Sequence, residues 1–118
     1  MSGAVSYYAG LTAEGIVARQ YRDHGFQIVA NRWRGCAGEI DLIVTDGAEY
    51  LFVEVKRSKS FESAAMQLEP RQMKRIYCAA SEFLGTLPIG QDTDCRFDVA
   101  LVDGIGDVRI LENAFGQF

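Results

Sequence analysis

The sequence is poor in the features that would place it in a membrane, a secretion route or a nucleotide-binding family. Among its 118 residues no apolar run approaches the roughly 20 needed to cross a bilayer. The first positive charge is Arg19, and the stretch before Glu14 mixes Ser, Gly, Thr and Tyr. That start has neither the basic opening nor the apolar centre of a secretory signal, so the expected address is cytoplasmic. There is no P-loop, no G-x-G-x-x-G and a single histidine, His24, which leaves little support for a small-molecule enzyme. The three cysteines, Cys36, Cys78 and Cys95, cannot all pair within one chain and show no C-x-x-C spacing. A zinc site would need them and His24 to converge from scattered positions, so reduced thiols without a special role are expected. No repeat, low-complexity tract or Pro/Gly/Ser-rich linker divides the chain, and residues 1–118 are read as a single domain.

What is present suits a soluble globular protein. A hydrophobic fraction of 48% and a charged fraction of 24% are enough for one core. The net charge of −4 argues at first against a nucleic-acid partner, but the charge is segregated. From Lys56 to Arg75 six basic residues (Lys56, Arg57, Lys59, Arg71, Lys74, Arg75) face two acidic ones (Glu62, Glu69), a balance of +4. From Thr86 to Phe118 two basic residues stand against six acidic ones, a balance of −4. One face could attract phosphate on a protein that is acidic as a whole. Two solvated charged surfaces would give the same composition.

Hydrophobic periodicity sets the expected elements. A helix is expected from about Ala13 to His24, with Thr12 as N-cap, Ala13, Val17 and Tyr21 on one face, and Gly25 as the stop. Three strands follow: Phe26 to Trp33, Glu39 to Thr45 and Tyr50 to Arg57. Ser58 to Ser63 reads as a link to a second helix, Pro70 to Leu84, whose apolar stripe is Met73, Ile76, Tyr77, Ala80 and Leu84. Arg96 to Val102 and Val108 to Leu111 read as two further strands. The expected fold class is therefore α/β or α+β: helix, three strands, helix, two strands, with a mixed central sheet flanked by helices.

The chemistry lies in the strands GEIDLIV and LFVEVKR. Side chains alternate faces along a strand. If Ile40, Leu42 and Val44 pack with Leu51, Val53 and Val55 on one core, then Asp41, Glu54 and Lys56 converge on the opposite face. Two carboxylates within reach repel unless a cation or proton intervenes. Mg²⁺ suits such oxygen donors, and it could polarise a phosphodiester and ease deprotonation of water, with Lys56 orienting that water or stabilising the transition state. Charged residues alternating with apolar ones also describe an ordinary amphipathic strand, and Lys56 could be a structural partner of the two acids.

An Asp followed by Glu-X-Lys on neighbouring strands, with a helical Glu before it, resembles the PD-(D/E)XK nucleases, the restriction-endonuclease-like superfamily. Archaeal Holliday-junction resolvases and RecB-type nucleases use a similar arrangement. More closely, the chain resembles the YraN-like family of small uncharacterised bacterial proteins from Gly10 to about Val102. The match rests on G-L-T-A-E-G, N-R-W-R, G-E-I-D-L-I, F-V-E-V-K-R and R-F-D-V-A in that order. The resemblance implies a restriction-endonuclease-like core and a nuclease acting on DNA, branched or single-stranded, with Mg²⁺ or Mn²⁺. It implies Asp41 and Glu54 as metal ligands with the Val55 carbonyl, Glu14 reaching the metal directly or through water, and Lys56 at the attacking water. Arg32, Arg34, Arg57, Lys59, Gln72, Lys74 and Arg75 are the expected nucleic-acid contacts.

Several positions carry two readings. Many relatives have Lys where this chain has Gln72, whose role stays open. Glu39 is either a second acceptor near the metal or a partner for Arg32 or Arg34. Glu14 could be only a helix-start charge, and Arg71, Lys74 and Arg75 only a solvated face. Asp98 reads as structural. Trp33, Tyr7 and Tyr8 could stack on bases, but core packing or a subunit contact is the better reading. The alternative function is a non-catalytic nucleic-acid-binding or complex-assembly module of the same fold. A homodimer or a DNA-processing protein partner is left open; a membrane is not expected.

Overall fold

The computed structural model describes residues 12–114; Tyr7 and Tyr8 lie outside them. Helix α1 (Ala13–Asp23) begins where Thr12 Oγ1 accepts the Gly15 N–H at 3.0 Å, and it is followed by Gly25 at φ 91°. A side-chain cap satisfies one of the orphan N–H groups of the first turn, and glycine enters the left-handed region without a Cβ clash. Strands β1 (Gln27–Arg34), β2 (Glu39–Thr45), β3 (Tyr50–Arg57), β4 (Cys95–Val102) and β5 (Val108–Leu111) form one sheet in the order β1-β2-β3-β4-β5. All neighbours are antiparallel except β3 and β4. A parallel pair needs a crossover, which here carries α2 (Phe61–Ala65), α3 (Pro70–Leu84) and a 3₁₀ turn, Gly90–Asp92. The mixed α+β class is as expected. Helix α2 is an addition, nucleated inside the expected linker by a capping box between Ser60 and Ser63.

Two apolar layers hold the sheet. On one side Ile16, Val17, Ala18 and Tyr21 of α1 pack on Leu42, Val44, Leu51, Val53, Val55, Ala100 and Val102. On the other, Ile76, Ala79, Ala80, Phe83 and Leu84 of α3 pack on Ile40, Ile43, Phe52, Phe97, Val99 and Leu101. Phe83 anchors this second layer, with its ring centroid 5.5 Å from Trp33, 5.9 Å from Tyr50 and 5.9 Å from Phe52. Trp33 is thus a packing residue. Among the described residues Asp98 is an acid with no exposure, and it accepts from Tyr21 Oη at 2.8 Å, Arg96 Nε at 3.0 Å and the Asn113 N–H at 3.0 Å. Burial first, then the Asp98 charge, holds the Tyr21 phenol well above its ordinary range. Asp98 is structural, a buried acceptor whose donors come from three separate segments. The three cysteines are free thiols.

The alternation of faces is less regular than a plain reading of β2 allows. Leu42 and Val44 face α1 as expected, but Ile40 belongs to the α3 side, together with Ile43. Strand β1 does the same: Ala30 and Trp33 both pack on the α3 side, three residues apart, and Val29 is an extra residue that shifts the register. Both strands therefore change their facing near one rung, the one that holds Asp41.

Candidate metal-binding site

The sheet forks at this rung. Pairing between β2 and β3 ends at Leu42–Val53, while β2 continues beside β1 to Glu39 and β3 continues beside β4 to Arg57. Where the ladder has ended, the Val55 N–H still needs an acceptor. It donates to Asp41 Oδ2 at 2.8 Å, so the carboxylate takes the place of a strand carbonyl. Glu54, the residue before, is buried at 3% exposure and lies on the Phe52 face, toward α3. Its Oε2 meets Lys56 Nζ at 3.0 Å and accepts a hydrogen bond from Gln72 Nε2 on α3. Asp41 stands near enough to Glu54 to raise its carboxyl. Asp41, Glu54 and Lys56 are therefore together, although Ile40 does not follow the expected face.

The electrostatics are those of a crowded acid pair. Burial, and then the hydrogen bond and charge of Asp41, push the Glu54 carboxyl up to about 8; Lys56 pulls the other way without cancelling them. One oxygen of each carboxylate is held by a protein donor: Asp41 Oδ2 by Val55, and Glu54 Oε2 by Lys56 and Gln72. An all-oxygen set of Asp41, Glu54 and the Val55 carbonyl fits a hard divalent ion such as Mg²⁺ by donor chemistry. A cation could relieve the same repulsion that a proton now relieves.

A family model for the uncharacterised protein family UPF0102 matches residues 13–102, which contain the whole fork. The chain belongs to UPF0102. A UPF0102 protein of Cereibacter sphaeroides is 63% identical over 115 residues, covering 98% of each chain. Another from Roseobacter denitrificans is 51% identical over 98% of this chain and 90% of its own length. A third, from Dinoroseobacter shibae, is 44% identical over 94% of this chain and 83% of its own.

The other expected site residues of this UPF0102 chain are less tightly gathered. Glu14 sits in the first turn of α1, half-buried, and its position there suits the helix dipole. Among the described residues no three His, Cys, Asp or Glu side chains gather in a metal-holding group, so Glu14 does not complete a three-acid set with Asp41 and Glu54. Glu39 pairs with Arg34 at 3.0 Å, which settles its partner between the two arginines considered. Arg32, Lys59, Lys74 and Arg75 are exposed, as is Arg71, and Arg57 is half-buried.

Gln72, whose role the sequence leaves open, directs its amide to Glu54, inside the fork. The signal was there to read: residues 72, 76, 79 and 83 fall on one helical stripe, and Gln72 is its only polar member. Glu82 escaped notice altogether. Its carboxylate accepts the Cys36 N–H at 2.9 Å and ties the Gly-rich β1–β2 bend to α3. No local sequence pattern marks a contact between residues 46 apart.

Proposed function

We propose that this chain is a divalent-metal-dependent nuclease of the restriction-endonuclease-like superfamily, hydrolysing phosphodiester bonds in DNA. The observation that carries the reading is the pairing of buried Glu54 with half-buried Asp41 at the sheet fork, with Lys56 Nζ 3.0 Å from Glu54. Strand faces of ordinary proteins do not set a second acid against a buried one unless a proton, a cation or a function compensates them. Mg²⁺ or Mn²⁺ held by Asp41, Glu54 and the Val55 carbonyl would supply Lewis-acid stabilisation of a phosphodiester. The chain's own groups have separate tasks. The Val55 N–H fixes Asp41, Gln72 fixes Glu54, and Lys56 offers a proton donor and a positive charge beside the reacting phosphate. Arg71, Lys74 and Arg75 are exposed on α3, the helix that carries Gln72, and would offer cations to a nucleic-acid backbone.

The test is cleavage of duplex, single-stranded and branched DNA by the purified chain with Mg²⁺ or Mn²⁺. Asp41→Ala and Glu54→Ala should each abolish cleavage while retaining the folded circular-dichroism spectrum. Cleavage retained by both variants excludes the mechanism.

A second reading is a nucleic-acid-binding module that keeps the fold without cleaving. One observation favours it: Lys56 and Gln72 both engage Glu54 Oε2, which compensates that carboxylate without a metal. Salt-sensitive DNA binding with no cleavage under any divalent ion would select this reading.

A further inference from the structure

Arg32 is held at φ 52°, in the left-handed region, in the middle of strand β1. L-residues other than glycine, asparagine and aspartate seldom enter that region, and in a strand it interrupts the alternation of faces. Its place is specific. Asn31 pairs with Leu42 and Trp33 with Ile40, so the rung between these pairs holds Arg32 on β1 and Asp41 on β2. On both sides of that rung the two strands point the same way. Ala30 and its partner Ile43 pack toward α3, and so do Trp33 and its partner Ile40. Three residues separate Ala30 from Trp33, and three separate Ile40 from Ile43, whereas regular strands would place residues so spaced on opposite faces. The turn of the backbone at Arg32 and the break at Asp41 are thus one local rotation shared by two paired strands.

That rotation has a consequence for the acid. On a regular strand Asp41 would stand on a face of the sheet with Glu39 and Ile43. Instead its Oδ2 reaches across the fork to the Val55 N–H at 2.8 Å, within the sheet's own hydrogen-bonding direction, which brings it against Glu54. Residues in strained backbone regions persist where the surroundings over-determine them, and they gather at functional sites. No other described residue within a strand except Arg32 combines a side chain larger than glycine's with positive φ.

We propose that Arg32 is a positioning residue: its left-handed backbone turns the β1–β2 rung so that Asp41 aims along the sheet at Val55 and Glu54. The role belongs to the backbone of residue 32 and acts through Asp41. It rests on the reading of Asp41 as a metal ligand for its effect on metal binding, but not for its effect on the Asp41–Val55 hydrogen bond.

The experiment compares Arg32→Gly, which enters the left-handed region freely, with Arg32→Val, whose β-branched side chain is least compatible with it. Two readouts are taken: calorimetric binding of Mn²⁺ alone, and hydrogen exchange of the Val55 amide by NMR in metal-free protein. Arg32→Gly should bind Mn²⁺ as the wild type does and keep the amide protected. Arg32→Val should weaken Mn²⁺ binding about 10–100-fold, as loss of a ligand-orienting partner does, and expose the Val55 amide to faster exchange. Arg32→Ala, of intermediate cost, serves if the valine variant does not fold and should fall between the two.

Wild-type protection of Val55 and wild-type Mn²⁺ affinity in Arg32→Val, or in Arg32→Ala where that variant stands in, would overturn the proposal. So would an Arg32→Gly variant as impaired as the valine one, since the side chain rather than the backbone would then be acting. If the wild type itself takes up no Mn²⁺, the metal reading fails, and the Val55 exchange rates alone decide the role of Arg32.

Discussion

At Glu54 a carboxylate, an ammonium and an amide crowd around one acid, and pH decides how well they fit. In metal-free protein the folded-state carboxyl keeps its proton up to about 8, against 4.5 for the ordinary group. Between those values the native state binds more protons than the unfolded chain, so stability falls as pH rises through this window. The contribution is complete below 4.5 and lost above about 8. Glu54→Gln, which mimics the protonated acid, should flatten that fall and melt higher than the wild type at pH 8 with a chelator present. Thermal melts of both proteins across the window check it; parallel curves would mean that Glu54 titrates as an exposed acid does. Gln72→Leu should act in the opposite sense on the same acid, by removing the amide that favours its charged form, and should cost about 1–3 kcal/mol at neutral pH by urea denaturation. Asp98 is the other buried acid, and there the donors are sufficient. Asp98→Ala strands Arg96, the Tyr21 hydroxyl and the Asn113 N–H together, for an expected loss of about 3–5 kcal/mol, whereas Tyr21→Phe removes one donor and should cost about 1 kcal/mol.

At the scale of elements, Phe83 joins α3 to two strands, β1 through Trp33 and β3 through Tyr50 and Phe52. Phe83→Ala should destabilise the fold by about 3–5 kcal/mol and shift the fluorescence of Trp33, the chain's single tryptophan. A denaturant titration followed by that fluorescence measures both. Much of this layer could be read in advance. The bounds of β2, β3, α3 and β5 follow from alternation, a helical stripe and Gly- or Pro-marked ends, and the structure returns the same residues. The convergence of Asp41, Glu54 and Lys56 was also legible, because burial of Leu42, Val44, Leu51, Val53 and Val55 fixes the register of two hairpin strands. The departures share one cause. Alternation assumes a regular strand, and the extra residue at Val29 and the left-handed Arg32 break it through backbone conformations that residue type does not advertise. Ile40 changed sides for that reason. Glu14 is different: the distance from a helix's first turn to a strand fork depends on tertiary packing, and no spacing in the sequence encodes it.

Across the whole molecule the segregated charges acquire positions. Arg71, Lys74 and Arg75 are exposed on α3, the helix that carries Gln72, and Gly38 of the β1–β2 bend lies against Arg75, so Arg75 stands near the fork. Asp46, Glu49, Asp94 and Glu112 collect where β3 and β4 begin, around Arg96, which sits 3.8 Å from Glu49 and 3.7 Å from Glu112. The net charge of −4 is thus compatible with a locally attractive end. A polyanion should approach by the α3 end and be repelled by the other. Each phosphate contact with duplex DNA adds about 0.9 to the slope of log affinity against log salt concentration. Replacing Arg71, Lys74 and Arg75 together by Ala should therefore lower that slope by up to about 2.7 if all three meet phosphates. Neutralising Asp92 and Asp94 should leave the slope unchanged, because no phosphate contact is gained or lost at that end. Fluorescence anisotropy of a labelled duplex, titrated at several salt concentrations with a chelator present to prevent cleavage, measures both variants. A triple variant with the wild-type slope would move the nucleic-acid face away from α3, and with it the path by which a phosphate could reach Asp41 and Glu54.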